Sequence, residues 1–143
     1  MEKIRIKYFT DKIEKLDYID GKSDWIDLRA SEEVELKAGE FKLIPLGVAM
    51  EIPKGFAGLI YARSGLACKR GLAPANKVGV VDSDYRGEFM VVLYNHGQRP
   101  QNVSHGERIA QLVITPVFTP GFVFCDELNE TDRSAGGFGS TGK

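Results

Sequence analysis

Two aspartates one residue apart, Asp82 and Asp84, stand in the stretch DSDYRGE between two apolar runs, and a third carboxylate, Asp27, lies in the alternating segment WIDLRA. Carboxylates beside phosphates hold Mg²⁺ through its water shell or take a proton from an attacking water. The plain alternative for DSDYRGE is an ordinary polar turn, and composition alone does not exclude it. The stretch is a poor EF-hand, because Arg86 stands where an oxygen ligand is wanted and Leu93 occupies the twelfth position, which needs a bidentate glutamate. In ARSGLACKRG, Arg63, Ser64 and the backbone N–H groups of Gly65 and Leu66 gather at a strand-to-helix junction. Such a junction suits a phosphoryl group, or is simply a capped helix with a surface arginine. No G-x-S-x-G elbow is present, and neither His96 nor His105 has a context that points to Ser-His-Asp chemistry. A tetrahedral zinc site would consume Cys68, His96, His105 and Cys125 together, with no C-x-x-C or H-E-x-x-H spacing, so zinc is set aside. The ending RSAGGFGSTGK carries Gly137, Gly142 and Lys143 at Walker A spacing, but no Ser or Thr follows the lysine and no helix is left for the motif to open. What remains there is a glycine-rich segment with Arg133, Phe138, Ser140 and Thr141. It is either an arm able to wrap a ligand and stack one aromatic on a base, or a disordered tail.

These side chains need a scaffold, and 143 residues at 15.8 kDa provide one domain and no second. A chain this long buries roughly two thirds of its unfolded surface and needs no disulfide or metal to do so. Cys68 and Cys125 are therefore read as free thiols. Short extended segments dominate: residues 4–8, 34–36, 40–46, 48–51, 58–61, 78–81, 88–94 and 109–117. Gly and Pro punctuate them in KAGE, EIPKGF, HGQRPQ and HGER, which is the rhythm of an all-β sandwich or jelly roll. One short helix is expected over residues 65–70, with Ser64 as its N-cap. The turn between the strands at 78–81 and 88–94 should push Asp82, Asp84 and Tyr85 to a rim. Nineteen basic against twenty acidic residues give a net charge of -1 and a pI near 6.1, which argues against a bulk footprint for nucleic acid or anionic lipid. The charged N-terminal stretch lacks a secretory apolar core, and no run reaches the ~18 apolar residues of a membrane helix. A cytoplasmic protein is the expectation.

Taken in order, DLRA at 27–30, ARSGLA at 62–67, NKVGVVDSDYRGE at 76–88, GERIAQL at 106–112 and RSAGGFGSTG at 133–142 resemble the motifs of the homotrimeric deoxyuridine triphosphatases. Any one stretch is weak; five in order are specific. The resemblance implies a jelly-roll-like β-barrel over residues 1–132, with one short helix, and a flexible glycine-rich arm at 133–143 that closes over the site. It implies a homotrimer with active sites at subunit interfaces, and conversion of dUTP and water to dUMP and pyrophosphate with Mg²⁺. By the same resemblance Asp82 activates the water that attacks the α-phosphorus. A carboxylate is ionised at neutral pH but is a weak base, so rate must come largely from alignment and charge neutralisation. Tyr85 resembles the ring beneath the deoxyribose that excludes a 2′-hydroxyl. Asn76 falls at the uracil-reading position, with backbone groups of residues 75–81, Gly79 among them, on the pyrimidine edge. Arg63, Ser64, Gly65 and Gln111 resemble the phosphate-positioning groups. Arg133, Phe138, Gly139, Ser140 and Thr141 belong to the arm, with Phe138 stacked on uracil. Asp27 resembles a carboxylate that touches Mg²⁺ through water while the triphosphate supplies the direct ligands.

Two departures stand out: Trp25 replaces a glycine of the first motif, and Ser134 replaces a glycine of the arm. Two other readings share the fold. One is a nucleotide-sensing regulatory protein with a protein partner. The other is a dCTP deaminase, whose doubled serine after the arginine and catalytic glutamate are absent here.

Overall fold

The computed structural model describes residues 3–18 and 23–142. Part of the charged connection before Trp25, and the arm's terminal Lys143, lie outside them. Among the described residues the elements follow as β1 (Ile6–Tyr8), β2 (Ile26–Arg29), β3 (Val34–Leu36), β4 (Phe41–Pro45), β5 (Val48–Met50), β6 (Phe56–Tyr61), α1 (Ser64–Arg70), β7 (Leu72–Pro74), β8 (Gly79–Val81), β9 (Met90–Asn95), β10 (Gln101–Val103) and β11 (Arg108–Pro116). The class is all-β, as the alternation predicts. The strands at 34–36, 41–45, 48–50 and 90–95 fall where the apolar runs put them.

Every pairing among the described residues is antiparallel: β1 with β5, β3 with β10, β9 with β4 on one side and β7 on the other, and a four-stranded sheet in the order β2-β11-β6-β8. Pairs distant in sequence thus wrap one core in jelly-roll fashion. Leu28, Leu36, Ile44, Leu72, Phe89, Leu93 and Leu112 are fully enclosed in it, each stabilising the fold by roughly 1.5–3 kcal/mol. Asn95 is buried among them and satisfied, donating to the carbonyls of Leu36 and Arg99 and accepting from Gly97 N–H.

One expectation is corrected at α1. Ser64 is the first helical residue rather than the cap; Arg63 takes the cap position with extended φ -91° and ψ 126°, and no side chain caps the helix. Those dihedrals are the ordinary ones of an N-cap residue, and the Arg63 side chain turns away to bond Asp27 on β2 instead of capping. Gly71 ends the helix at φ 64°, its N–H returning to the carbonyls of Ala67 and Leu66.

The four-stranded sheet matters most for function. β2 carries Asp27, the end of β6 leads into Arg63 and Ser64, β8 leads into Asp82, and β11 carries Gln111.

Candidate active site

The expected residues gather at three stations. The first lies where β2, β11 and the end of β6 meet. Gln111 stands opposite Asp27 on one side and Tyr61 on the other, so all three side chains share the outer face of the sheet. Gln111 Nε2 donates to Ala62 O at 2.8 Å and ties down the chain just before Arg63. Asp27 is buried, and both its oxygens are occupied: Oδ1 accepts from Arg63 Nε at 3.0 Å, and Oδ2 from Arg108 Nη1 at 3.2 Å. Arg63 Nη1 also faces the backbone carbonyl of Arg108 at 3.4 Å. Ser64 and Gly65 are exposed beside this cluster at the start of α1, with the Ser64 hydroxyl uncommitted to a cap.

Arg108 belongs to this station and was not among the residues singled out from the sequence. In a regular strand it would point away from Gln111, three residues on. A register shift between Arg108 and Ala110 breaks the alternation, buries Ile109 and Ala110 together, and leaves Arg108 on Asp27's side. The sequence signal for it is indirect: a buried carboxylate flanked by one arginine invites a second.

Arg70 braces the station from behind. Its guanidinium reaches Gln101 Oε1 at 3.0 Å, Asn102 O at 2.6 Å and the Glu107 carboxylate. Trp25, in place of the expected glycine, packs edge-on against Tyr61 with ring centroids 5.2 Å apart. It fills the outer sheet face beside Asp27 without entering the Asp27 pairs.

The second station is the loop and turn around β8. Asn76 is exposed, and its amide lies near Gly79. Lys77 between them holds φ 67°, a left-handed conformation in which a non-glycine residue is strained. Asp82, Asp84 and Tyr85 are exposed at the rim, as expected. The turn is held by its own groups: Tyr85 N–H donates to Asp82 O at 3.2 Å, and Arg86 Nη1 donates to Ser83 O at 2.7 Å and Tyr85 O at 3.1 Å. The Tyr85 hydroxyl donates to Glu88 O at 3.0 Å, which folds the ring back over Gly87. Asp82 also borders a cleft of about 890 Å³ whose lining includes Phe56, Leu59, Val80, Arg86 and Val117, but none of the other expected substrate residues.

The third station is the arm. Beyond Val117, whose N–H donates to Gly55 O, the chain leaves the barrel. Arg133, Phe138, Gly139, Ser140 and Thr141 are exposed, and Arg133 Nε bonds only within the arm, to Gly136 O. Ser134 and Phe138 hold φ 47° and 52°.

The stations do not meet within this chain. Val81 is paired with Gly58 and Gly79 with Ile60, so Asp82 lies beside Ala57 at one end of β6 while Arg63 follows the other. Arg63 lies six positions along from Ala57, up to about 20 Å at the rise of an extended strand. Among the described residues no three His, Cys, Asp or Glu side chains gather as a metal cage. The side chains at Asp27 become more exposed outward, 10% for Asp27, 23% for Arg63 and 44% for Arg108, so an approaching cation would meet two guanidiniums before the carboxylate. Both Asp27 oxygens are already engaged by arginines, and among the described residues no side-chain cage stands beside it. Cys68 and Cys125 are free. Among the described residues no helix is long and apolar enough to cross a membrane.

A family model described as dUTPase matches residues 23–142. A deoxyuridine 5′-triphosphate nucleotidohydrolase of Desulfitobacterium hafniense (strain DSM 10664 / DCB-2) is 48% identical over 145 residues, covering 98% of this chain and 96% of that protein. Another, from Anaeromyxobacter sp. (strain Fw109-5), is 51% identical over 118 residues, covering 82% of this chain and 80% of that protein. The solved structure of the Staphylococcus bacteriophage 80alpha dUTPase with dUPNHPP is similar with a TM-score of 0.91 at 25% identity, over 100% of both chains.

Proposed function

The chain belongs to the dUTPase family and is a dUTP hydrolase, and from that premise we propose how its own residues carry the reaction. Asp82 takes a proton from a water whose oxygen forms a bond to the α-phosphorus of dUTP. The bond from that phosphorus to the bridging oxygen breaks, dUMP is left, and pyrophosphate departs. The observation that carries this reading is the rim around β8, where the uracil reader Asn76, the sugar-facing Tyr85 and the carboxylate Asp82 occupy one short stretch with a self-bonded turn. Asn76 and the backbone at Gly79 read the pyrimidine edge. The Tyr85 ring closes the space a 2′-hydroxyl would need.

Arg63, Ser64, Gly65 and Gln111 hold the phosphates, and the guanidinium of Arg63 keeps outward N–H donors for them beyond the Asp27 bond. The arm then covers the nucleotide, with Phe138 on the base and Arg133, Gly139, Ser140 and Thr141 around the outer phosphates, excluding water other than the nucleophile. Magnesium belongs to the substrate in this reading. Carried on the triphosphate it would lower the phosphates' charge, and Asp27 would be the residue placed to touch it through water.

The site is shared between copies of the chain. Arg63 must hold phosphates bonded to the one that the Asp82-activated water attacks, and up to about 20 Å of strand lies between Arg63 and Asp82 in one protomer. The arm likewise covers no part of its own barrel's stations. A homotrimer supplies Asp82, Arg63 and the arm from different subunits to each of three equivalent sites. The outer sheet face supports the same assembly, since Val113, Leu59 and Val80 form an apolar row across β11, β6 and β8, with Val80 64% exposed.

The test is pyrophosphate release from dUTP, UTP, dTTP and dCTP in parallel, with and without Mg²⁺, together with ammonia release from dCTP. Release confined to dUTP is expected. Ammonia from dCTP would make the protein a deaminase, and dUTP binding without turnover of any nucleotide would make it a nucleotide sensor with a protein partner.

A further inference from the structure

We infer that Glu88, the last residue of DSDYRGE, is a positioning residue for sugar selection, whose carboxylate, seated on the N–H of Gly47, steadies the backbone carbonyl that fixes the Tyr85 ring. The inference rests on the nucleotide-hydrolase reading, in which that ring faces the deoxyribose, and adds to it a residue that touches no substrate. Tyr85 is exposed at the rim, and its hydroxyl donates to Glu88 O at 3.0 Å. A ring that is to exclude one hydroxyl group has to stand still, so whatever holds Glu88 O decides how sharp the filter is.

The holding is done by one peptide plane and its two ends. The Glu88 carbonyl and the Phe89 N–H belong to the same planar trans unit and point opposite ways. Phe89 N–H donates to Val48 O at 2.7 Å, which aims Glu88 O away from β5 and toward the tyrosine. At the Phe89 end the side chain is fully enclosed, and Phe89 O accepts from Leu46 N–H at 2.9 Å. At the Glu88 end the anchor is the side chain, whose Oε1 accepts from Gly47 N–H at 3.0 Å. Leu46, Gly47 and Val48 therefore bond Phe89 O, Glu88 Oε1 and Phe89 N–H in turn, and only the middle bond depends on a side chain.

Gly47 is a firm seat. It lies buried in the tight connection between β4 and β5 at φ 71°. A Cβ there would meet Ile13 Cδ1 at 2.9 Å, Thr10 Cγ2 at 3.1 Å and Ser31 Cβ at 3.2 Å, and Gly47 O accepts from Phe9 N–H at 2.9 Å. A buried N–H requires a partner, and among the described residues Gly47 finds it in Glu88. What the seat asks for is an acceptor oxygen at that reach, which an amide supplies as a carboxylate does.

The test measures kcat/KM for dUTP and for UTP in wild type, Glu88→Ala, Glu88→Gln, Tyr85→Phe and the double variant of Glu88→Ala with Tyr85→Phe. Glu88→Ala is expected to lower the dUTP-over-UTP ratio about tenfold, with kcat/KM for UTP rising, which a general loss of structure does not produce. Glu88→Gln should stay within about twofold of wild type. Tyr85→Phe cuts the same tie from its other side, so its ratio should fall likewise, and the double variant should fall no further than either single one. An unchanged ratio in Glu88→Ala, a fall caused only by lost dUTP turnover, an equal fall in Glu88→Gln, or additive losses in the double variant would each overturn the inference. Tyr85→Phe, at an exposed position, serves if Glu88→Ala unfolds, and an unchanged ratio there overturns it as well. Wild type that releases no pyrophosphate from dUTP, or that does not prefer it to UTP, overturns the hydrolase reading itself, which separates the two failures.

Discussion

Tyr85 turns its ring back across Gly87 because its hydroxyl is tied to Glu88 O at 3.0 Å, and only hydrogen occupies the space beneath. A Cβ at Gly87 would lie 2.4 Å from the Tyr85 oxygen and 2.6 Å from the ring carbon that bears it. Gly87→Ala therefore displaces the ring while leaving Asp82 and the phosphate station in place. The ratio of kcat/KM for dUTP over UTP should fall about tenfold or more, with kcat on dUTP held within a few-fold. An unchanged ratio would remove Tyr85 from sugar discrimination. At this scale the sequence was informative about Asp82, Tyr85 and Arg63, whose polar types stand out between apolar runs. It was silent on Gly87, whose role is an absence of side chain, and on Arg108, whose direction depends on a bulge.

Among the elements, those with sustained alternation were legible. β9 alternates exposed and buried positions along MVVLYN, and β4 pairs with it residue for residue. β7 and β10, three residues each, were not, because Gly and Pro punctuate them and their burial comes from partners distant in the chain. β2 was seen as an alternating segment but not bounded as a strand. The Ser64 cap missed by one residue: Ser64 is already helical, and Arg63, whose side chain is bonded to Asp27, stands in the cap position. The arm is the element with the least support from the barrel. A chain ended at Asp132 should keep its melting temperature within about 2 °C, as expected when exposed surface residues are lost. It should lose about a hundredfold in kcat/KM for dUTP, with Phe138 stacking and the outer-phosphate grip gone together. A matching fall in melting temperature would make the arm structural instead.

The molecule as a whole has its chemistry divided across one sheet. Asp82 sits toward one end of β6 and Arg63 at the other, the arm points away, and an apolar row on the outer face asks to be covered. On the proposed reading a closed symmetric assembly would resolve all three, because one rotation would bring the carboxylate of one copy to the arginine of the next and repeat. Motif order along the chain carries no distance across it, so only the family resemblance, and not the spacing of the motifs, pointed to sites between subunits.

The most direct measurement is subunit mixing. Asp82→Asn and Arg63→Ala chains, each inactive alone, are co-expressed with different tags, and the mixed assembly is purified and assayed with dUTP. Sites built from two subunits predict recovery of about a third of wild-type turnover per site, because every mixed trimer, whether two-to-one or one-to-two, has one junction that joins an intact Asp82 to an intact Arg63. Mixed assemblies as inactive as either parent would contradict the account and return the whole site to one protomer.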